Sequence, residues 1–424
     1  MLVFGGQINL RKKGLQKPLN NIPNSQLKLM QNSQQTQQRF IYQRLSSFYF
    51  FFFAALGVFV PYWPLYLKSL NFNAIEIGEL MAIVMGSKIL APYLLGWLSD
   101  HLQKRLIIIQ VSLLFTVTAF AGVLTYQSYW WFVVVMTVFG FFWNASLPLF
   151  EALTLDHLSE NSSRYSHIRL WGSIGFIISV AALPLIIDDG GLALLPLIML
   201  GLLVANGLSS LLVKENTKIA SEEDTGQIFK ILKQPIVIGL LLACALQSLS
   251  HGAYYTFFSI YLEDHGYSHM TTGLMWALGV FAEVVLFISI HHIFSRFDAT
   301  KLFTIALLLS SARWIIIAFW VDSFILLILS QLLHAASFGL FHATAISLTH
   351  QLFPGKLHAR GQALYAGISF GLGGALGNLI SGYTWDSIGS TWTFLLSAFV
   401  ALLGAIIAIK YVSKDYLPPY ANKS

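Results

Sequence analysis

The sequence predicts an all-α membrane protein of twelve transmembrane helices, arranged as two halves of six. Of the 424 residues, 56% are hydrophobic and only 10% are charged. A soluble domain carries about 25% charged residues, so this composition excludes an ordinary soluble fold. The apolar residues are grouped in runs of about 20, the length that crosses a bilayer at about 1.5 Å per residue. Lysine and arginine are concentrated in alternate connections between these runs, as in multi-pass membrane proteins.

Twelve apolar runs are long enough to span the hydrocarbon. They cover residues 46–68, 75–97, 105–126, 129–153, 167–187, 191–213, 236–262, 271–294, 299–320, 322–346, 359–384 and 388–412. The predicted divisions are a cytoplasmic arm (1–45), a six-helix bundle (46–213), a linker (214–235), a second six-helix bundle (236–412) and a cytoplasmic tail (413–424). The arm is rich in glutamine and asparagine, which predicts disorder. The linker lies where a boundary between pseudo-symmetric halves is expected.

The distribution of basic residues predicts the orientation in the membrane. If the N-terminus is placed inside, the inner connections hold nearly all Lys and Arg, and the outer connections hold only Lys68. The positive-inside rule then places both termini in the cytoplasm. The net charge of +6 follows from this asymmetry, so it does not indicate nucleic-acid binding. The first apolar run is long enough to remain in the membrane as an anchor rather than to be removed as a signal peptide.

A small set of ionisable side chains lies within or at the ends of the apolar runs, and predicts a transporter. A charge in the bilayer core costs about 2.5–3.5 kcal/mol on insertion scales, so such residues usually face a cavity and serve a function. They are Lys88, Glu151, Arg169, Glu283, Arg313, His334 and His342.

In the first half, a short predicted loop joins the helices that carry Glu151 and Arg169, so these helices are expected to be neighbours. A carboxylate and a guanidinium in a cavity either form a structural ion pair or open to hold a substrate. Lys88, about thirteen residues into the second run, requires an anion, either a neighbouring acid or a substrate carboxylate. Its presence favours an organic acid over a neutral sugar as substrate.

In the second half, Glu283, Arg313 and His334 lie at similar depth on three helices. Histidine titrates near cellular pH, which suits proton exchange, although an isolated membrane histidine is more often a hydrogen-bonded packing residue. His342 follows His334 by eight residues, about 80° further round the helix, so both side chains can reach one cavity. The grouping predicts proton coupling on this side of the molecule.

One connecting loop resembles a motif of the major facilitator superfamily. The stretch Gly96-Trp-Leu-Ser-Asp100-His-Leu-Gln-Lys104-Arg105 is similar to the family's Gly-x-Leu-x-Asp-Arg-x-Gly-Arg-Arg loop, although the middle Gly and Arg are absent. The resemblance implies the major facilitator fold, and a charge network in which Gly96, Asp100, Lys104 and Arg105 help to hold the two halves together in one state. The alternative is an ordinary basic loop.

Further motifs resemble the lactose-permease branch of that superfamily. The stretch Phe142-Trp-Asn144-Ala…Glu151-Ala and the run Arg169-Leu-Trp-Gly172 are similar to that branch, in which a helix-4 Glu and a helix-5 Arg at this spacing bind the substrate. Phe176 stands where lactose permease has a Trp that stacks on the sugar. The details are more similar to bacterial 3-phenylpropionate permeases. The matching stretches are His251-Gly-Ala-Tyr254-Tyr255, Leu278-Gly-Val-Phe-Ala-Glu283, Arg313-Trp314, Leu333-His334-Ala-Ala-Ser-Phe338, His342-Ala343 and Gln362-Ala-Leu-Tyr365.

The resemblance implies a proton symporter of the bacterial inner membrane that imports a small aromatic carboxylate such as 3-phenylpropionate. The implied substrate-binding residues are Lys88, Glu151, Arg169, Phe176, Tyr254 and Tyr255. The implied proton-coupling residues are Glu283, Arg313, His334 and His342. Lactose permease has a titratable acid at the position of Ser337, so its proton mechanism cannot transfer unchanged. Each single aromatic residue also has a simpler interpretation as packing.

No cofactor and no metal is expected, and the expected partners are a small molecule, protons and the lipid bilayer, with a functional monomer. The alternative substrates are a sugar or a nucleoside. A polytopic membrane enzyme or a receptor is a more remote alternative, because the sequence has no catalytic cluster at one membrane face and no sizeable soluble domain.

Overall fold

The computed structural model describes residues 24–158, 164–215 and 228–413. Twelve long helices account for nearly all of these residues. They are α1 (Asn24–Ser69), α2 (Ala74–Leu102), α3 (Arg105–Leu124), α4 (Tyr129–Leu158), α5 (Tyr165–Ile187), α6 (Leu192–Leu211), α7 (Pro235–Asp264), α8 (His269–Phe294), α9 (Ala299–Trp320), α10 (Phe324–Leu352), α11 (His358–Trp385) and α12 (Ser390–Tyr411). A short helix, Ile228–Leu232, precedes α7.

Eleven helical segments of the described chain are long and apolar enough to cross a membrane. They are the last 30 residues of α1, from Phe40, together with α3 to α12. The remaining helix, α2, is 29 residues long, includes Glu76, Glu79, Lys88 and Asp100, and packs between α4 and α11. We count it as the twelfth spanning helix, which confirms the predicted fold class.

Part of the N-terminal arm differs from the prediction. Residues 24–45 were expected to be disordered, but α1 begins at Asn24 and runs without interruption to Ser69. Glutamine is nearly as good a helix former as leucine, and extending an existing helix is much easier than starting one, so the polar stretch continues the apolar helix. Residues 1–23, 216–227 and 414–424 lie outside the described chain, so the predicted boundaries of the arm, linker and tail stay predictions.

The two halves repeat one packing pattern. In the first half, α1 packs against α5 and α6, α4 packs against α2 and α3, and α3 packs against α6. The same contacts recur six helices later: α7 packs against α11 and α12, α10 packs against α8 and α9, and α9 packs against α12. The halves meet through α2 with α11, α5 with α8, and α1 with α7. These pairings are those of two pseudo-symmetric six-helix bundles.

The halves approach closely at the end of the molecule that carries the α1–α2 and α7–α8 connections, here called the Lys68 end. The Lys68 ammonium lies 2.7 Å from the Glu263 carboxylate and 2.6 Å from that of Asp264, which joins α1 to α7. A Cβ on Gly78 would lie 2.7 Å from the Cα of Gly382, so α2 and α11 touch backbone to backbone. The opposite end, which carries the α2–α3 connection, is called the Arg105 end.

Three helices of the second half are irregular near their middle. Helix α7 is interrupted at His251, between the segments Pro235–Ser250 and Gly252–Asp264. Helices α10 and α11 contain π-helical segments, Ala335–Leu340 and Gly367–Gly373 respectively. Such segments rotate the following side chains and frequently mark functional sites.

Candidate functional site

Lys88 lies on the strip of α2 that is left free between two packed faces. On one side, Ser87 accepts a hydrogen bond of 2.8 Å from the Asn144 side chain of α4. On the other side, Ile89 contacts α11, where a Cβ on Gly371 would be 2.6 Å from the Ile89 side chain. Successive residues are about 100° apart on a helix, so Lys88 points between α4 and α11, towards the boundary between the halves. Its side chain is half-buried and makes no hydrogen bond or ion pair with the described residues.

Glu151 and Arg169 form a loose pair at the boundary of α4 and α5. The Arg169 Nε lies 3.8 Å from the Glu151 Oε1, and each side chain keeps 28% of its surface exposed. The Tyr165 hydroxyl donates a 3.1 Å hydrogen bond to the same carboxylate oxygen. The Arg169 guanidinium lies 3.8 Å above the centre of the Phe53 ring, a cation–π contact that fixes its position. At 3.8 Å the pair is not hydrogen-bonded, so either group can accept another partner.

Arg313 is the centre of a buried polar chain in the second half. It is fully buried, and its Nη1 donates to His334 Nδ1 at 3.0 Å and to the Ser337 hydroxyl at 3.1 Å. Its Nε donates to the Ser330 carbonyl at 2.8 Å. The guanidinium also lies 4.1 Å above the centre of the Tyr254 ring. Glu283 completes the chain, with its Oε2 3.9 Å from His334 Nε2.

The partner of Arg313 determines which nitrogen of His334 carries a proton. An arginine can only donate, so His334 Nδ1 must accept, and a neutral His334 then carries its proton on Nε2. That nitrogen is the one nearest to Glu283. The arrangement therefore aligns a donor, an imidazole and a carboxylate in order, with Glu283 at the end of the chain.

The other predicted residues are distributed unevenly around these two clusters. His342 makes no direct contact with the Arg313 chain in the described part of the structure: its Nδ1 lies 2.8 Å from the Tyr365 hydroxyl of α11, and the Phe338 ring stacks between it and His334. Phe176 is 7% exposed and Tyr254 is 1% exposed, so neither presents an open ring face to a substrate in this conformation. Tyr255 lines a small cavity of the second half.

That cavity contains residues that the sequence interpretation missed. It has a volume of about 20 Å³ and lies mostly within the second half, between α7, α10 and α11, with Met85 of α2 on the remaining side. Gln247, His251 and Asn378 line it, and each has a buried side-chain atom without a partner among the described residues. Uncharged amides in apolar helices are a weaker signal than charges, but a search for them in α7 and α11 would have found Gln247 and Asn378.

The loop at the Arg105 end forms a charge network inside the first half. Arg105 binds Asp156 of α4 through a short ion pair and lies 3.8 Å from Asp100. Glu215 accepts a hydrogen bond from the Leu106 backbone at 2.8 Å, and so ties the end of α6 to the start of α3.

Lys104, the other basic residue of the predicted loop set, precedes α3 and is exposed. No atom lies within 4 Å of a Cβ placed on Gly96, so this conformation does not require a glycine there. These contacts link α2, α3, α4 and α6, and whether the loop also holds the two halves together stays a prediction.

Comparison with known proteins identifies the family. A model of the MFS_1 like family matches residues 42–396, which is most of the chain. The chain belongs to this family. The prediction of a major facilitator transporter is therefore confirmed, and the protein is a multi-pass membrane transporter rather than an enzyme.

Two bacterial transporters are similar in sequence over most of their length. The probable 3-phenylpropionic acid transporter of Escherichia coli (strain K12) is 29% identical over 352 residues, which is 80% of this chain and 90% of that protein. The maltose permease of Geobacillus stearothermophilus is 26% identical, with 79% of this chain and 86% of that protein covered.

Solved structures confirm the fold. A mutant of the nucleoside transporter NupG superposes with a TM-score of 0.79 at 16% identity, and covers 88% of this chain and 100% of that one. An autoinhibited peptide transporter of the POT family superposes with a TM-score of 0.70 at 13% identity, and covers 89% of this chain and 97% of that one.

Proposed function

We propose that this transporter imports a small aromatic carboxylate, such as 3-phenylpropionate, together with protons, across the bacterial inner membrane. Both termini are placed in the cytoplasm, and the monomer is taken as the working unit. The observation that carries the proposal is Lys88, a cation at membrane depth with no anionic partner among the described residues. An unpaired ammonium in that position is costly unless a ligand supplies the missing charge.

Arg169 provides a second cationic contact. It is not hydrogen-bonded to Glu151 at 3.8 Å, and Phe53 holds the guanidinium at the boundary of α4 and α5, so its N–H groups are available to a substrate carboxylate. Helix α5, which carries Arg169, packs against α8, which carries Glu283 of the other half. We expect a substrate carboxylate bound at Arg169 to change the charge near this boundary and so to link the substrate to the proton.

Aromatic side chains support the choice of an aromatic acid. Tyr255, Phe338, Phe341 and Phe370 line the small cavity of the second half, and Met85 of α2 borders it one helical turn from Lys88. At about 20 Å³ this cavity is too small for a phenyl ring in this conformation, so we expect the aromatic lining to receive the ring only when the helices separate. The E. coli relative, which is described as a probable 3-phenylpropionic acid transporter, supports the same substrate class.

A neutral sugar or a nucleoside is the second candidate. The maltose permease is nearly as similar in sequence, and the NupG structure superposes well, although at 16% identity that likeness concerns the fold alone. A neutral substrate would leave Lys88 unpaired, which is why we favour the acid.

Uptake into proteoliposomes tests the proposal. Labelled 3-phenylpropionate, maltose and uridine would be supplied separately, with an imposed pH gradient and with or without a protonophore. Protein-free liposomes correct for passive entry of the acid. We expect only the acid to accumulate, and the protonophore to prevent its accumulation. Uptake of maltose or uridine in place of the acid would support the second candidate, and uptake unaffected by a protonophore would indicate a uniporter.

A further inference from the structure

Helix α5 carries two neighbours of Arg169 on the same face as the arginine. Tyr165 precedes Arg169 by four residues and Gly172 follows it by three, so all three lie within about 60° of one another around the helix. Tyr165 contacts Glu151, and Gly172 contacts Arg169. The geometry of the Glu151–Arg169 pair therefore depends on the residues one helical turn to either side of the arginine.

Gly172 and Phe53 confine the guanidinium of this pair. The guanidinium lies 3.8 Å above the centre of the Phe53 ring. A Cβ on Gly172 would lie 2.8 Å from Arg169 Nη1 and 2.7 Å from the Phe53 ring, so any larger residue there would displace one of them. The guanidinium is thus held between a ring and a glycine, and the separation of the pair depends on where Glu151 lies.

Tyr165 holds Glu151 in its position. Its side chain is 3% exposed, and its hydroxyl donates a 3.1 Å hydrogen bond to the Glu151 Oε1, the same oxygen that lies 3.8 Å from Arg169 Nε. The ring of Tyr49 packs edge-on against that of Tyr165, with ring centres 6.4 Å apart. The Tyr49 hydroxyl in turn donates to Thr154 of α4 at 3.2 Å. The Tyr165 hydroxyl is therefore a donor fixed by its packing.

The distance between the two charged groups is longer than their attraction alone would give. A guanidinium and a carboxylate in direct contact are separated by about 2.7–2.9 Å, so the Glu151 oxygen is about 1 Å short of a charge-assisted hydrogen bond to Arg169. One carboxylate oxygen can accept two hydrogen bonds, so Tyr165 acts by fixing the position of the oxygen rather than by occupying it. Without the hydroxyl, Glu151 would move onto Arg169.

We infer that Tyr165 is a positioning residue for substrate binding, which holds Glu151 out of bonding distance of Arg169 and so leaves Arg169 available to a carboxylate. The inference rests on the proposed function, in which Arg169 contacts the carboxylate of the acid. A closed ion pair between Glu151 and Arg169 would compete with the substrate for the same N–H groups.

The test measures the affinity of the purified transporter for 3-phenylpropionate by titrating its thermal stabilisation. Tyr165→Phe keeps the ring that packs against Tyr49, so the variant should fold. We expect about five- to tenfold weaker binding, because the substrate must break a charge-assisted ion pair that the unaltered protein does not form. The thermal stability without ligand should change little, since the new ion pair replaces the lost hydrogen bond.

Glu151→Gln separates positioning from packing. The neutral amide is only weakly attracted to Arg169, so adding Tyr165→Phe to Glu151→Gln should change the affinity by less than about twofold. A residue that only packs α5 would instead weaken binding by the same factor in both backgrounds, and that result would contradict the inference.

Tyr261→Phe is the matched control. Tyr261 is a buried tyrosine of α7, near the Lys68 end, whose hydroxyl donates to the Ala318 carbonyl at 3.3 Å. Its substitution should leave the affinity for the acid unchanged. Equal affinities of the unaltered protein and Tyr165→Phe would overturn the inference while leaving the proposed function intact. No binding of the acid to the unaltered protein would remove both.

Discussion

The two halves hold their internal charges in contrasting ways. In the first half, Glu151 and Arg169 lie 3.8 Å apart with 28% of each side chain exposed, and Lys88 has no described partner. In the second half, Arg313 has no exposed surface and makes hydrogen bonds to four side-chain or backbone acceptors. The first set can change partners without disturbing the packing. The second set is buried in this conformation, apart from Glu283, whose side chain keeps 17% of its surface exposed.

The backbone differs in the same direction. Helices α7, α10 and α11 of the second half are interrupted or contain π segments beside the cavity. Their counterparts by packing, α1, α4 and α5, show no π segment in the described residues. The first half therefore presents its charges on helices whose described residues form no π segment, and the irregular helices of the second half surround a small cavity. We expect the first half to select the carboxylate and the second to select the remainder of the substrate and to carry the proton.

The largest expected effect comes from Glu283, the carboxylate at the end of the buried chain. Glu283→Gln keeps the size and hydrogen-bonding capacity but cannot exchange a proton. We expect accumulation of 3-phenylpropionate against a gradient to be abolished, while exchange of labelled for unlabelled acid across the membrane continues. Glu76→Gln, at the first turn of α2, where the half-buried side chain accepts a hydrogen bond from the Asn73 backbone, is the control and should accumulate normally. Full accumulation by Glu283→Gln would remove Glu283 from the coupling mechanism.

The second effect concerns Lys88 and tests whether the first half selects the anion. Lys88→Gln removes a charge-assisted contact worth about 1.5–3 kcal/mol, so the affinity for the acid should fall by about one to two decades. Lys88→Arg retains the charge and should keep a measurable part of the affinity. Lys301→Gln, an exposed lysine at the start of α9, serves as the control. Unchanged affinity with normal expression would assign Lys88 to a structural role.

A smaller effect is expected at the Lys68 end, where the halves are joined across the boundary. Lys68→Gln removes two partly exposed ion pairs, each worth about 0–1 kcal/mol, so the equilibrium between conformations should shift by about two- to fivefold towards separation at this end. Spin labels at Ser128→Cys and Ser387→Cys, both on exposed connections of opposite halves, would report the distance distribution. The single native cysteine, Cys244, is buried and should remain unlabelled. An unchanged distribution would mean that glycine packing alone holds this end closed.

Most of the fold follows from the sequence, because runs of apolar residues and the bias in basic residues are strong signals. The grouping of Glu283, Arg313 and His334 was also predictable, because ionisable side chains at one depth of a membrane are costly unless they pair with one another. Gln247 and Asn378 were missed because uncharged amides are less conspicuous in apolar segments. The ion pair between Lys68 and Glu263 joins residues that are 195 positions apart in the sequence, and no local pattern in either helix predicts it.

The burial of Phe176 and Tyr254 could not be predicted for a different reason. Aromatic residues make up 14% of the chain, so a position alone does not distinguish a stacking ring from a packed one. The π segments of α10 and α11 are likewise not visible in the sequence, because their mostly small and apolar residues show no change of periodicity. These features depend on how three helices meet, which only the assembled bundle determines.

The smallest expected effect is at His342, which the sequence groups with the proton-coupling residues. In the structure His342 bonds the Tyr365 hydroxyl at 2.8 Å, on the face of α10 that packs against α11, and makes no described contact with the Arg313 chain. His342→Gln can keep a bond to that hydroxyl, so we expect accumulation to change by less than about twofold, near the value of one hydrogen bond or less. Tyr365→Phe, which removes the partner, should behave alike. If accumulation is lost in His342→Gln but kept in Tyr365→Phe, His342 itself carries the proton. The coupling residues would then include His342 as well as the Arg313 chain.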